Sequence, residues 1–261
     1  MVPPIILHGV VAGNLLEGRN LDRLRIFISG GAPVPFELLE AAQGFLPNGS
    51  MVQGYGLTET SPILTFMHLQ QTVSATGAGS DACRSAGRPL AGIDLRLVDD
   101  GGHDVRAGGV GELVVRGPNV MAGYLDRPQA TAEALRDGWF HTGDVARLDE
   151  HGFVHIVDRK KDVIITGGEN VYSAEVETVL RQHPSVGEAA VIGVPDETYG
   201  ETVLAVVVTA GDDRLREDEI QDFCRGHIGG YKVPRRIVFV QDLPKSALGK
   251  VLKSRLRLQY A

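Results

Sequence analysis

The sequence predicts an α/β protein in two parts. The first is an α/β region followed by a β-rich subdomain, and the second is a small C-terminal α+β domain joined to it by a hinge. Three observations predict this. Up to about residue 80, apolar runs ending at glycines alternate with helical periods; beyond Ser80, short alternating strands with glycine turns take over; after Lys161 a fresh set of strands and helices begins. The expected division is therefore 1–160, with an α/β part at about 1–80 and a β-rich part at about 81–160, and then 161–261.

Each element follows from its residues. The apolar opening, residues 1–7, contains Pro3 and Pro4 and no positive leader, so it reads as a helix start and not as a signal peptide. Residues 21–29 end in a continuous apolar run that meets Gly30-Gly31, the pattern of a buried strand entering a loop. Residues 35–43 carry a helical period through Phe36, Leu38, Leu39 and Ala42, and Met51-Val52 is a strand leading into a Gly54-Tyr55-Gly56 loop. This alternation predicts a mostly parallel sheet.

The β-rich part is read from residues 94–98, the turn Asp100-Gly101-Gly102, residues 111–116 and residues 153–157. In the last part Val163-Ile164-Ile165-Thr166 is a strand, Ser173 caps a helix running to Arg181, and residues 189–193 and 202–209 are strands. A helix over 217–225 and a strand over 237–240 complete it. Met51, Met67 and the sparse aromatics are core candidates.

Composition excludes several classes. A chain of 261 residues with 43% apolar content can bury a core, and a net charge of −7 argues against a nucleic-acid binder. Basic residues nevertheless gather between positions 232 and 257, where eight face only Asp242. That end suits an anionic ligand or a solvated face. Cys83 and Cys224 suggest neither a disulfide nor a zinc site, which makes the cytoplasm the expected compartment. The longest apolar run, residues 203–208, is too short to span a bilayer, so no transmembrane segment is expected.

Four motifs stand in order: Gln53-Gly54-Tyr55-Gly56-Leu57-Thr58-Glu59; His141-Thr142-Gly143-Asp144; Asp158-Arg159-Lys160-Lys161-Asp162 running into Gly167-Gly168-Glu169-Asn170; and Pro244-Lys245-Ser246-Ala247-Leu248-Gly249-Lys250. Together they resemble the late motifs of the adenylate-forming acyl-CoA synthetases, the AMP-dependent synthetase/ligase superfamily, of a fatty-acid-CoA ligase-like kind. A Ser/Thr/Gly-rich phosphate loop ending in Lys is missing; Gly77-Ala78-Gly79-Ser80 has no Lys beside it. The chain therefore reads as the C-terminal portion of such an enzyme, the remnant of a large N-terminal α/β domain plus the small domain, and is expected to adenylate poorly alone.

The resemblance implies ATP, Mg2+ and coenzyme A as cofactors and a carboxylic acid, expected to be a fatty acid, as substrate. It implies that Tyr55 stacks on adenine, that Thr58 meets phosphate and that Glu59 holds Mg2+, a hard cation suited to carboxylate oxygen. Gln53, Gly54, Gly56 and Ile156 join the nucleotide site. Gly30, Gly31 and Ala32 pass between adenine and the acyl group, and Ile63-Leu64 would help to leave an apolar pocket. Asp144 should face the ribose, because like charges a few ångströms apart repel by roughly 1–4 kcal/mol and would keep it from the phosphates. Arg159 also reaches the ribose or phosphate.

By the same resemblance Lys161 is the pivot of the small domain, residues 167–170 line the coenzyme A channel, and Lys250 bridges substrate carboxylate and α-phosphate during adenylation. Lys245, Lys253, Arg235 and Arg236 could meet coenzyme A phosphates or form a solvated face, and His141 orients the Thr-Gly-Asp loop. Taken singly, each of these motifs also fits an ordinary turn or solvated surface. Two rivals stay open: adenylation for a carrier-protein phosphopantetheine, and a non-catalytic nucleotide-binding module.

Overall fold

The computed structural model describes residues 2–106, 108–211, 215–246 and 249–261. The chain divides into two compact units, Met1–Ile156 and Val157–Ala261, four residues ahead of the division expected at Lys160-Lys161.

The larger unit begins with α1 (Pro4–Ala12), whose prolines sit before and at the first helical position, where no backbone donor is needed. Then come β1 (Ile26–Gly30), α2 (Phe36–Gln43), β2 (Ser50–Tyr55), β3 (Thr65–His68), α3 (Leu69–Thr76) and β4 (Arg88–Pro89). The sheet order is β1-β2-β3-β4. Only β1 and β2 run parallel, joined across α2, whereas β2/β3 and β3/β4 are antiparallel. The sheet is thus not mostly parallel as the alternation suggested. The nine residues between β2 and β3 are too few for a crossover, which needs about a dozen, so the chain has to turn back. Leu7, Phe36, Leu39, Met51, Met67 and Cys83 form the core under the three helices.

The β-rich part contains β5 (Asp94–Val98), β6 (Val110–Arg116), α4 (Pro128–Ala134), β7 (Leu135–Arg136), β8 (Trp139–Leu148) and β9 (Val154–Arg159). Its sheet runs β5-β6-β8-β7, with β9 paired to β8. Leu64, Leu97, Leu113, Val115, Phe140 and Val154 close its core.

In the smaller unit β10 (Ile164–Thr166), β11 (Glu169–Val171), α5 (Ser173–Leu180), β12 (Val186–Asp196), β13 (Gly200–Thr209), α6 (Glu217–Arg225), β14 (Arg236–Phe239) and α7 (Lys253–Tyr260) follow one another. The sheet order is β11-β10-β13-β12, with β14 parallel to β13. Along β12, Ala189 and Val191 belong to a core that includes residues of α5 and α6, whereas Ala190, Ile192 and Val194 belong to another that includes Leu243 after β14 and, from α7, Leu256. Burial on both faces explains why these strands read as continuous apolar runs and not as alternation.

Ser173 does not cap α5 from outside, as expected; it is the first helical residue. The cap is Asp158, whose Oδ2 accepts the Ser173 hydroxyl at 2.7 Å and the Ala174 N–H at 3.2 Å. A carboxylate at a helix start satisfies an orphan donor and opposes the positive end of the helix dipole. Among the described residues no helix is long and apolar enough to cross a membrane.

Candidate functional site

In the larger unit, two of the four motifs meet. Gln53, Gly54 and Tyr55 do not form a loop; they end strand β2, and the turn begins at Gly56. Gln53 is buried and donates its side-chain amide to Ser85 O at 3.2 Å. Gly56 has no room for a side chain, because a Cβ there would lie 2.0 Å from the Pro62 carbonyl oxygen. The chain folds back here, with the Leu64 N–H on Tyr55 O at 2.8 Å, and Thr58, Glu59 and Thr60 form one 3₁₀ turn pinned by the Leu57 N–H on Thr60 Oγ1 at 3.0 Å. Thr58 is exposed and Glu59 half-buried.

A neighbouring segment straps this turn. Met121 N–H donates to Glu59 O at 2.8 Å, Asn119 Nδ2 to Thr60 O at 2.7 Å, and the Tyr124 hydroxyl to Glu59 Oε1 at 2.9 Å. Burial, and then the hydrogen bond to Glu59 and its charge, push the Tyr124 phenol up from its ordinary value. Sequence reasoning missed Asn119 and Tyr124, since nothing in their spacing links them to a motif some 60 residues earlier.

Asp144 lies within strand β8, not in the Thr-Gly-Asp loop that was expected. Opposite Leu113 the β6/β8 register shifts, and Gly143 takes a φ of 69° in this bulge. Thr142 Oγ1 donates to Leu113 O at 2.7 Å and accepts the Asp144 N–H at 3.0 Å, so Thr142 orients the aspartate. His141 does not: its Nδ1 accepts from Arg136 Nη2 at 2.7 Å and lies 3.3 Å from Glu112 Oε2. The buried Asp144 carboxylate accepts the Tyr55 hydroxyl at 2.6 Å, which joins residues 89 positions apart.

Gly30 is buried at the end of β1, while Gly31 and Ala32 are exposed just beyond it. Ile156 is half-buried and packs on the β-rich core. Leu64 is fully buried in that same core, so it does not line the apolar pocket assigned to Ile63-Leu64. Among the described residues no group of three or more His, Cys, Asp or Glu side chains could hold a metal ion, which leaves Glu59 as a single carboxylate for one.

In the smaller unit, Arg159 ends β9 with its N–H on Asp158 Oδ1 at 2.7 Å. Lys161 is exposed in a single 3₁₀ turn, Lys160–Asp162, and Asp162 accepts Arg257 Nη2 at 2.8 Å. Gly167-Gly168 is the two-residue turn of the β10/β11 hairpin, with φ of 58° and 84°, and Glu169 and Asn170 lie in β11. Positive φ at both central residues is what a type I′ hairpin turn requires, which two glycines meet without strain.

Lys250 is exposed, and among the described residues no hydrogen-bond or ion-pair partner is found for its ammonium. Ala247 and Leu248 lie outside the described residues. Three of the other basic residues are engaged within the unit. Lys245 Nζ lies 2.7 Å from Glu188 Oε1, and Lys253 Nζ lies 2.6 Å from both Ser173 Oγ and Glu177 Oε1. The Arg235 guanidinium sits 3.9 Å from the Tyr199 ring centroid, and Arg236 is exposed in β14. Of the two readings for these residues, coenzyme A phosphates or a solvated face, Lys245 and Lys253 instead show carboxylate partners within the unit, and Arg235 an aromatic one. Buried Cys224 packs in the core, and burial pushes its thiol up to about 11.

Comparison with known proteins places both ends of the chain in one family. The family model "AMP-binding enzyme" matches residues 1–125, and "AMP-binding enzyme C-terminal domain" matches residues 175–250. Feruloyl-CoA synthase of Amycolatopsis sp is 45% identical over 98% of this chain and 50% of its own length. A long-chain-fatty-acid–CoA ligase of Salmonella typhimurium is 42% identical over 94% of this chain and 42% of its own. Among solved structures, the amide bond synthetase McbA of Marinactinospora thermotolerans superposes with a TM-score of 0.84 at 35% identity, over 100% of this chain and 52% of McbA. The chain spans about half the length of the curated relatives it matches.

Proposed function

The chain belongs to the AMP-binding enzyme family and corresponds to the C-terminal portion of its acyl-CoA synthetases, and from that premise we propose a role in carboxylic acid activation. A carboxylate attacks the α-phosphorus of Mg·ATP and expels pyrophosphate; the thiol of coenzyme A then attacks the acyl-adenylate carbonyl and releases AMP. The observation that carries this reading is the Tyr55–Asp144 hydrogen bond, which joins an aromatic ring and a carboxylate at one strand end. An aromatic face suits a purine, and an acceptor-only group suits the two hydroxyls of a ribose.

In this reading Gly30, Gly31, Ala32, Gln53, Gly54, Gly56 and Ile156 shape the nucleotide site, Thr58 meets phosphate, and Arg159 reaches ribose or phosphate. Glu59 and the phosphates of the nucleotide would share a Mg2+, which neutralises their charge; a single protein carboxylate fits an ion that keeps most of its ligands from substrate and water. Lys250 supplies a point charge to the carboxylate and α-phosphate as charge develops. Lys161 is the pivot of the smaller domain, and the Gly167-Gly168 turn with Glu169 and Asn170 lines the path of the thiol.

The acid is not narrowed to a fatty acid by the buried Leu64, and the relatives' names range from feruloyl to long-chain acyl. An ATP–pyrophosphate exchange screen over aliphatic and aromatic acids tests the proposal. We expect acid-dependent exchange by the full-length enzyme that carries these residues and little by the 261-residue chain alone. No exchange with any acid, alongside no binding of acyl-AMP, would refute it. The likeness to an amide bond synthetase favours a second acceptor class, an amine, and supplying amines in place of coenzyme A separates the two.

A further inference from the structure

The loop carrying Lys250 is closed at its base. Leu252 N–H donates to Pro244 O at 2.7 Å, Ser246 N–H to Lys250 O at 2.8 Å, and Lys245 bridges Val251 across the hairpin. Immediately outside the exposed lysine stand the two paired ones. Lys253, the first residue of α7, is mostly buried and donates to Ser173 Oγ and to Glu177 Oε1. Ser173 passes the contact on to Asp158 Oδ2, and Glu177 Oε1 also accepts the Val191 N–H at 2.9 Å. On the other flank Lys245 reaches Glu188 in β12.

We propose that Lys253 and Lys245 are positioning residues for Lys250, bracing the base of its loop against α5 and β12. This rests on the reading of Lys250 given above. Neither lysine is available to bind a ligand phosphate without cost. Withdrawing Lys253 would leave the Glu177 carboxylate, only 14% exposed, with the more distant Arg181 at 3.9 Å as its remaining cation, and weakening the pairing of a buried charge is destabilising. The Lys245 pair is more exposed, at 31% and 44%, so it is the weaker brace. The division of labour follows from geometry: the middle lysine is left exposed for substrate, while its neighbours hold the loop.

The test is amide hydrogen exchange by NMR on the 261-residue chain. For Lys253→Met we expect the amides of Ser246, Gly249 and Leu252 to exchange about tenfold faster or more, while those of Ile192 and Val206 in the sheet stay unchanged. Lys245→Met should shift the same amides less. Glu177→Gln, which keeps the acceptor for Val191 but removes the charge, should resemble Lys253→Met and guards against a variant that fails to fold. Uniform acceleration across the unit, or none in the loop, would overturn the proposal. In the full-length enzyme, Lys253→Met should lower kcat for ATP–pyrophosphate exchange and leave the KM for ATP near its original value. An unchanged kcat there would also overturn it, whereas a wild-type enzyme without exchange would count against the activity and not against the bracing.

Discussion

The two motifs of the larger unit and the lysine loop of the smaller one are built in opposite ways. Tyr55 and Asp144 end or interrupt strands, are hydrogen-bonded to each other and stand beside a turn where a glycine is sterically required. Lys250 stands exposed on a loop, with its basic neighbours paired to Glu188 and Glu177. The contrast separates groups that must present a fixed surface to a ligand from a charge that must stay hydrated until it is used. In the first group the Tyr55 hydroxyl offsets part of the cost of burying the Asp144 carboxylate. Burying Lys250 would cost desolvation and tie up its charge in a salt bridge.

Substitutions can break or sharpen that contrast. The largest effect is expected for Lys250→Ala in the full-length enzyme: adenylation falls by about 10²–10³, thioester formation from supplied acyl-adenylate is largely spared, and the urea midpoint does not move. Equal loss in both half-reactions, or a large loss of stability, would erase the distinction between the regions. Gly56→Ala should do the reverse, destabilising the larger unit by about 3 kcal/mol, because the new methyl meets the Pro62 backbone and not a yielding side chain. Denaturant unfolding of the 261-residue chain measures it.

Tyr55→Phe removes a charge-assisted hydrogen bond to a buried carboxylate and should cost about 1.5–3 kcal/mol in the same assay. A neutral result would mean that the pair is not part of the scaffold. The smallest effect concerns Cys224, whose folded thiol lies at about 11 against an ordinary value of 9.0. Its contribution is fully present below pH 9 and is lost as pH rises through 11, because the unfolded thiol ionises first. Wild-type stability should therefore fall faster than that of Cys224→Ala across this window, by about 1.4 kcal/mol per pH unit. Parallel pH curves for the two proteins would show that this thiol does not gain from burial.

Much of the secondary structure was legible because apolar periodicity is a local signal. The helices at α2 and α6 fall where their residues place them, and so do β10, β13 and β14, whereas β12 extends beyond the expected 189–193 and β11 was not expected. The errors have a common cause. Gly54-Tyr55 and Thr142-Gly143-Asp144 read as loops because of their glycines, yet both belong to strands, β2 paired with β3 and β8 paired with β6. The mostly parallel sheet was inferred from alternation, and the short connection after β2 reversed it. Asn119 and Tyr124 gave no signal at all, since their partners are backbone oxygens and a carboxylate about 60 residues away.

What the amino-acid order determined by itself is the set of motifs, their sequence along the chain and the local elements, since these depend on residue type and short-range spacing. What only the tertiary structure decided is which charges are already occupied. Lys245, Lys250 and Lys253 look alike in sequence, but two are neutralised by carboxylates 57 and 76 residues away and the third is not. Pairing is a matter of distance in space, and that distance exists only once α5, β12 and α7 have packed together.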